Sequence, residues 1–207
     1  MDRSVQEGVP SRVARKRAER VARVERTAAR MFAERGYEGA NLEEIAARLD
    51  LRGPSLYHYF SSKEELFLRC VRSSADEVIT RLGSVAAAEP EPVERLRLLF
   101  REQVLIEVRD YPDFLPLFVK IRLPSEDLRE RLLELRREHE AVFQAAAERV
   151  RVARGLDRAT SLVALRVAFG ALAHVPEWYD PAGPMGVEEL ADRMAATLIS
   201  PFLAAGG

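Results

Sequence analysis

The chain has 207 residues, 47% hydrophobic and 31% charged, which is enough apolar material for a sizeable core and excludes a disordered polymer. Its net charge of −1 conceals an asymmetry, because residues 1–60 carry 12 basic against 9 acidic side chains and the remainder is acidic. A single cysteine, Cys70, excludes an internal disulfide and suits the cytoplasm.

The apolar residues recur at spacings of three and four, so the chain reads as all-α, with about nine helices. Residues 1–10 have no pattern, and no apolar stretch there reads as a secretory signal. From about Ser11 a helix carries Val21, Val24, Ala28, Met31 and Phe32 on one face and stops at Gly36, with Tyr37 placed to pack back on that face. Residues 11–26 hold seven basic side chains against two acidic ones, which suits a polyanion partner or a merely solvated charged face. Asn41-Leu42-Glu43-Glu44 is a capping box opening a second helix, with Leu42, Ile45, Ala46 and Leu49 inward. Asp50-Leu51 forms a turn, and a helix of about two turns follows, from Gly53 to Phe60. A helix that short buries little apolar surface and makes sense as something presented outward.

Ser62-Lys63-Glu64-Glu65 is a second capping box and starts a longer helix through Leu66, Phe67, Cys70, Val71 and Val78. Cys70 falls on its apolar side, where a buried, inert thiol is expected. Glu89-Pro90-Glu91-Pro92 marks a boundary. Beyond it, helices are expected from Pro92 to about Val108, Asp113 to Ile121, Glu126 to Arg154, Arg158 to Trp178 and Val187 to Leu203. The most apolar run, Ser161–Val175, is broken by Arg166 and is too short for a bilayer span, so no membrane partner is expected.

Residues 21–71 resemble the DNA-binding domain of the TetR family of bacterial one-component repressors. The resemblance rests on Ala28…Met31-Phe32…Gly36-Tyr37, Leu42-Glu43-Glu44-Ile45-Ala46, Leu51, Leu56-Tyr57-His58-Tyr59-Phe60 and Ser62-Lys63-Glu64-Glu65-Leu66-Phe67, in order and at the family's spacing. It implies a helix-turn-helix domain over residues 1–63 with a flexible basic N-terminal arm, and a ligand-binding and dimerisation domain over residues 64–207. The second helix of such a motif enters the major groove. The resemblance therefore implies double-stranded operator DNA as partner, met by Asn41, Glu43, Arg52, Gly53, Pro54, Ser55, Tyr57, His58, Tyr59 and Lys63. Arg12, Arg15, Lys16 and Arg17 would track the backbone or the minor groove as the arm. Two departures stand out. Asp50 replaces the turn glycine, and Arg52 replaces the usual capping serine or threonine, which makes Arg52 a candidate phosphate or guanine contact.

Family members pair through their last two long helices as a four-helix bundle, which implies a homodimer, with Ala168, Gly170, Ala171 and Ala195 permitting close approach. The effector pocket in relatives implies lining candidates Phe67, Val71, Phe100, Val104, Phe118, Phe143 and Phe169, polar anchors Arg109, Arg122, His139 or His174, and Trp178 beside them. The segment Trp178-Tyr179-Asp180-Pro181-Ala182-Gly183 is similar to one found in a subgroup responding to acyl-coenzyme A thioesters, with Arg136 and Arg137 as pyrophosphate candidates. It reads equally as a structural hinge. Ordinary core packing is the alternative for the aromatics. The resemblance thus implies a repressor released by a hydrophobic small molecule. A helical enzyme and an interaction scaffold are the competing classes. The chain has no Glu-x-x-His pair, no zinc spacing among His58, His139 and His174, no P-loop and no Gly-x-Ser-x-Gly, so neither cofactor nor metal is expected.

Overall fold

The computed structural model describes residues 12–51 and 53–203, and among these there are only helices and their connections. The first helix, α1 (Arg12–Gly39), is interrupted at Gly36, whose φ of 72° lies in the left-handed region. The reversal returns Tyr37 onto Phe32, at a ring separation of 5.9 Å, and against the edge of Phe67 at 5.3 Å. The helix begins at Arg12, so Arg12, Arg15, Lys16 and Arg17 stand on a helix rather than a flexible arm. Residues 1–11, Arg52 and residues 204–207 lie outside the described residues.

In α2 (Leu42–Ala47) the Asn41 side chain accepts from the Glu43 amide at 2.8 Å. The other half of the expected box is absent, because Glu44 turns back to pair with Arg35. The helix ends with the Leu51 amide bonded to the Ala46 carbonyl at 2.9 Å and the Asp50 amide to the Ala47 carbonyl at 3.2 Å. That is a Schellman arrangement, with Asp50 at φ 56° in the place glycine usually fills. The next helix, α3 (Gly53–Leu56), is a single turn rather than two, continued by tight turns through Phe60. Leu56, at its C-terminal end, and Phe60, at the close of the turns that follow, are both buried.

The helix α4 (Lys63–Ala88) is capped by Ser62, which accepts from the Glu65 amide at 3.1 Å. Glu65 returns to Ser61, accepting from its amide at 2.7 Å, so the box closes one residue early. At 26 residues α4 is about 39 Å long. It packs on α1 near its start, where Arg69 meets Glu25 at 3.0 Å, and on the following helices further along.

The body is built from α5 (Pro92–Leu105), α6 (Glu126–Arg154), α7 (Arg158–Leu172), α8 (Val175–Trp178) and α9 (Val187–Leu203). Phe100 of α5 stacks on Phe143 of α6 at 5.8 Å and lies 6.3 Å from Phe202 of α9, and all three are fully buried. Where a helix to Val108 was expected, α5 widens at Ile106–Asp110 into a π-helical turn, closed by the Tyr111 amide on the Ile106 carbonyl at 2.8 Å. A second π-helical turn spans Pro116–Lys120. The expected single helix from Arg158 to Trp178 breaks at Ala173-His174, ahead of Pro176.

Residues Arg158–Trp178, a longer stretch than the Ser161–Val175 run, are long and apolar enough, by length and composition, to cross a membrane. Yet Ser161, Ala164, Leu165, Ala168 and Leu172 of α7 are buried against the chain's own helices. Ala168 and Ala195 are 1% and 0% exposed within one chain, so neither faces a partner, whereas Gly170 is exposed and Ala171 half-buried.

Candidate DNA-reading head and effector cavity

Around α3, Tyr57 is 59% exposed and His58 is exposed, while Ser55 and Tyr59 are half-buried. Gly53 and Pro54 open the turn. His58 and Tyr59 line one wall of an open cleft whose other wall is Lys16, Arg17, Arg20 and Arg23 of α1. The basic face of α1 therefore continues directly from the outward turn of α3, a surface suited to a phosphate backbone. Arg20 and Arg23 were counted in the charge of this segment but not singled out; their spacing of four and seven from Lys16 is the signal that places them together. Arg12 is exposed, and Arg15 lies 3.9 Å from Glu19 on the same helix.

Two sequence candidates are engaged in holding the head together. Asn41 caps α2 and leaves Glu43 exposed beside it. Lys63 donates to the Glu38 carbonyl at 3.2 Å and lies 4.8 Å over the Tyr37 ring, with two ammonium protons still free.

In the body, a cavity of about 180 Å³ opens between α5, the two π-helical turns, α6 and α7. Phe118, His139 and Phe169 of the sequence candidates line it, and Phe143 stands behind them, 5.2 Å from Phe169 and 5.5 Å from His139. The structure does not bring the others there. Phe67 packs on Phe32 in the head, and Val71, Phe100 and Val104 are buried core. Arg109 pairs with Asp110 and Glu188, and Arg122 is exposed. His174 bonds the Gly170 carbonyl at 2.8 Å on the surface, and Trp178 is 56% exposed. In the segment after it, Tyr179 donates to the Met185 carbonyl at 3.1 Å and Asp180 accepts from the Ala182 amide at 2.9 Å, which fixes the turn between α8 and α9.

The inner end of the cavity holds polar residues not singled out from the sequence. Gln103 donates to Glu107 at 2.7 Å, and its oxygen lies 2.9 Å from His139 Nε2. Because Gln103 spends its amide on Glu107, its oxygen accepts and His139 carries the proton on Nε2. Burial pushes the Glu107 carboxyl up to about 7 and the His139 imidazole down to about 4. Both groups are therefore held toward their neutral forms. Glutamine and glutamate four apart, on either side of the apolar run Val104-Leu105-Ile106, were the available signal. At the mouth, Arg136 caps the end of the second π-helical turn, donating to the Phe118 carbonyl and to the Val119 carbonyl at 3.0 Å.

A family profile described as "Tetracyclin repressor-like, C-terminal domain" matches residues 89–201, and one described as "Bacterial regulatory proteins, tetR family" matches residues 26–70. The chain belongs to the TetR family. The HTH-type transcriptional repressor KstR2 of Mycobacterium tuberculosis is 38% identical over 73 residues, which cover 35% of this chain and 36% of that protein. The chain thus spans about a third of that relative. KstR2 of Mycolicibacterium smegmatis is 27% identical over 187 residues, covering 83% of this chain and 85% of the relative. Among solved structures, AibR in complex with isovaleryl coenzyme A and operator DNA has a TM-score of 0.76 at 26% identity, covering 88% of this chain and 99% of that one. The TetR family and these relatives are transcriptional regulators, not enzymes.

Proposed function

We propose that this chain is a cytoplasmic repressor, a homodimer that reads a palindromic operator through residues 1–63 and is released when residues 64–207 bind a short acyl-coenzyme A thioester. The observation that carries the reading is the cavity. At about 180 Å³ it is slightly larger than a 150 Å³ cavity that accepts benzene, so it suits an apolar group of roughly five to seven heavy atoms. Phe114, Phe118, Phe169 and Leu172 supply apolar walls. The rim holds Arg136, the exposed Arg137 and Lys120, the last paired with Glu177, alongside Glu140, and its three cations can meet phosphates outside. The likeness to a regulator solved with isovaleryl coenzyme A and operator DNA supports the same division of labour.

On the DNA side, Tyr57, His58, Ser55 and Tyr59 reach toward bases and phosphates, and Lys16, Arg17, Arg20 and Arg23 hold the backbone beside them. Arg12, Arg15, Arg52, Gly53, Pro54, Glu43 and Lys63 complete the proposed surface. Dimerisation uses the exposed face of α7, where Leu162, Val163 and Val167 stand unpartnered and apolar at 55–60% exposure. Two recognition turns about 34 Å apart then meet successive major grooves.

The test is a fluorescence-anisotropy titration on DNA upstream of the chain's own gene, at several salt concentrations. Lys16→Ala and Arg20→Ala should each reduce the slope of log affinity against log salt by about 1. Valeryl-coenzyme A should release the DNA. A flat salt dependence, or no specific site within the upstream DNA, overturns the reading.

A further inference from the structure

The cavity floor contains a group that an apolar ligand leaves unserved. Glu107 is 3% exposed, and one of its oxygens accepts from Gln103. The other, Oε2, is buried and has no hydrogen-bond partner; among the described residues it is the only such side-chain oxygen or nitrogen. Its neighbours on the floor do not relieve it. Gln103 is committed to Glu107 and His139, and Phe114 and Leu172 offer no polar atom. The mouth lies at the opposite side, where Val119 is exposed and Arg136 and Glu140 are half-buried.

This polarity constrains the occupant. A plain alkyl chain in the cavity leaves Oε2 without a partner, and a buried, unpaired polar group is costly. A carboxylate at the inner end meets another carboxyl. An ammonium finds no anion at the floor while Glu107 is protonated. A hydroxyl suits the site in every state, since it donates to an ionised Glu107 and accepts from a neutral one. Burial holds that carboxyl near neutrality at ordinary pH, so both states are populated and only an amphoteric partner serves both.

We propose that the effector is a hydroxylated short acyl group, its distal hydroxyl bonded to Glu107 Oε2 at the floor of the cavity and its anionic carrier at the cationic rim. This rests on the thioester reading for the carrier, but the hydroxyl requirement comes from Glu107 alone. Glu107 acts as a specificity residue, selecting against the unsubstituted chain as well as for the hydroxylated one.

Isothermal titration of the full chain with four probes separates the two ideas. The probes are valeryl-coenzyme A, its ω-hydroxy counterpart, free valerate and free ω-hydroxyvalerate, each against the wild type, Glu107→Gln and Glu107→Leu. The wild type should prefer each hydroxylated probe about tenfold, the size of one buried group left unpaired. Glu107→Gln should keep most of that preference, and Glu107→Leu should reverse it. Should the leucine variant fail to fold, the wild type and glutamine variant still decide the question. Equal binding of both thioesters by the wild type, or tighter binding of the plain one, overturns the hydroxyl proposal and leaves the thioester reading standing. Selective, Glu107-dependent binding of ω-hydroxyvalerate with no thioester binding overturns the thioester reading and keeps the hydroxyl. Silence from all four probes overturns both.

Discussion

Arg81 of α4 lies 2.7 Å from Asp110, three residues beyond Glu107 on the same π-helical turn. Arg81 also bonds Glu102 of α5, and the Tyr111 hydroxyl donates to Glu77 one turn earlier on α4. Arg109, with Arg81 behind it, holds the Asp110 carboxyl below its ordinary range, so the aspartate stays charged. One short element thus carries the cavity floor on one face and grips the DNA head's connecting helix with the other. A displacement of Glu107 by the proposed ligand is expected to reach α4 through these contacts. Asp110→Asn should leave ligand affinity within about twofold and cut the ligand-induced loss of operator affinity by about three- to tenfold, a share of the usual allosteric coupling. Operator titrations with and without ligand measure this directly. Unchanged coupling would mean the signal takes another route.

Much of the head could be read from residue order alone, because its devices are local. A capping asparagine, a glycine with positive φ and a short apolar spacing each act within a few residues. Asp50 was expected to take a left-handed conformation, and it does. The π-helical turns could not be read, since an i→i+5 turn differs from an α-helix only in how neighbouring helices pack against it. Missing them hid Glu107 and the correct side of the cavity. Phe67 shares α4's apolar stripe with residues of the body, yet it packs on Phe32 and Tyr37 of the head, and periodicity does not distinguish the two directions. Ala168 and Ala195 were similarly ambiguous, because small residues permit close approach to a neighbour in the same chain as readily as to a partner.

The Asp50 position offers a stability test that leaves function aside. A left-handed L-residue costs about 1–2 kcal/mol, less for aspartate, and glycine returns part of that gain through a freer unfolded chain. Asp50→Gly should therefore stabilise the head by about 0.5 kcal/mol, and Asp50→Val should destabilise it by about 1–2 kcal/mol. Urea midpoints at constant slope would check both. A destabilising glycine would indicate that the Asp50 carboxylate contributes more than its exposed position suggests.

The outward face of α7 should decide the oligomer. Val163 and Val167 are each 60% exposed and sit one turn apart, so a charge there costs one folded chain little. The same charge in a dimer seam is buried twice by symmetry. Val163→Glu and Val167→Glu should each shift the chain from dimer to monomer in light scattering, keep the helical circular dichroism and weaken operator binding at least about tenfold. A dimer that survives both substitutions would place the seam elsewhere.

The two buried titratable groups of the floor have opposite effects on stability as pH changes. Burial raises Glu107 from an ordinary 4.5 to about 7, so the folded chain keeps a proton that the unfolded chain releases, and stability falls as pH rises through that window. Burial lowers His139 from 6.5 to about 4, so the unfolded chain binds a proton that the folded chain refuses, and stability rises with pH between those values. The slopes overlap from 4.5 to 6.5 and nearly cancel in the wild type. Removing one partner exposes the other. Relative to wild type, Glu107→Gln should gain stability as pH rises from 4.5 to 7, and His139→Gln should lose it from 4 to 6.5, each by on the order of 3 kcal/mol. Urea midpoints across this range, taken as differences from wild type, cancel the contribution of the surface carboxylates. Parallel curves for all three proteins would mean that neither group is held away from its ordinary titration in the folded chain.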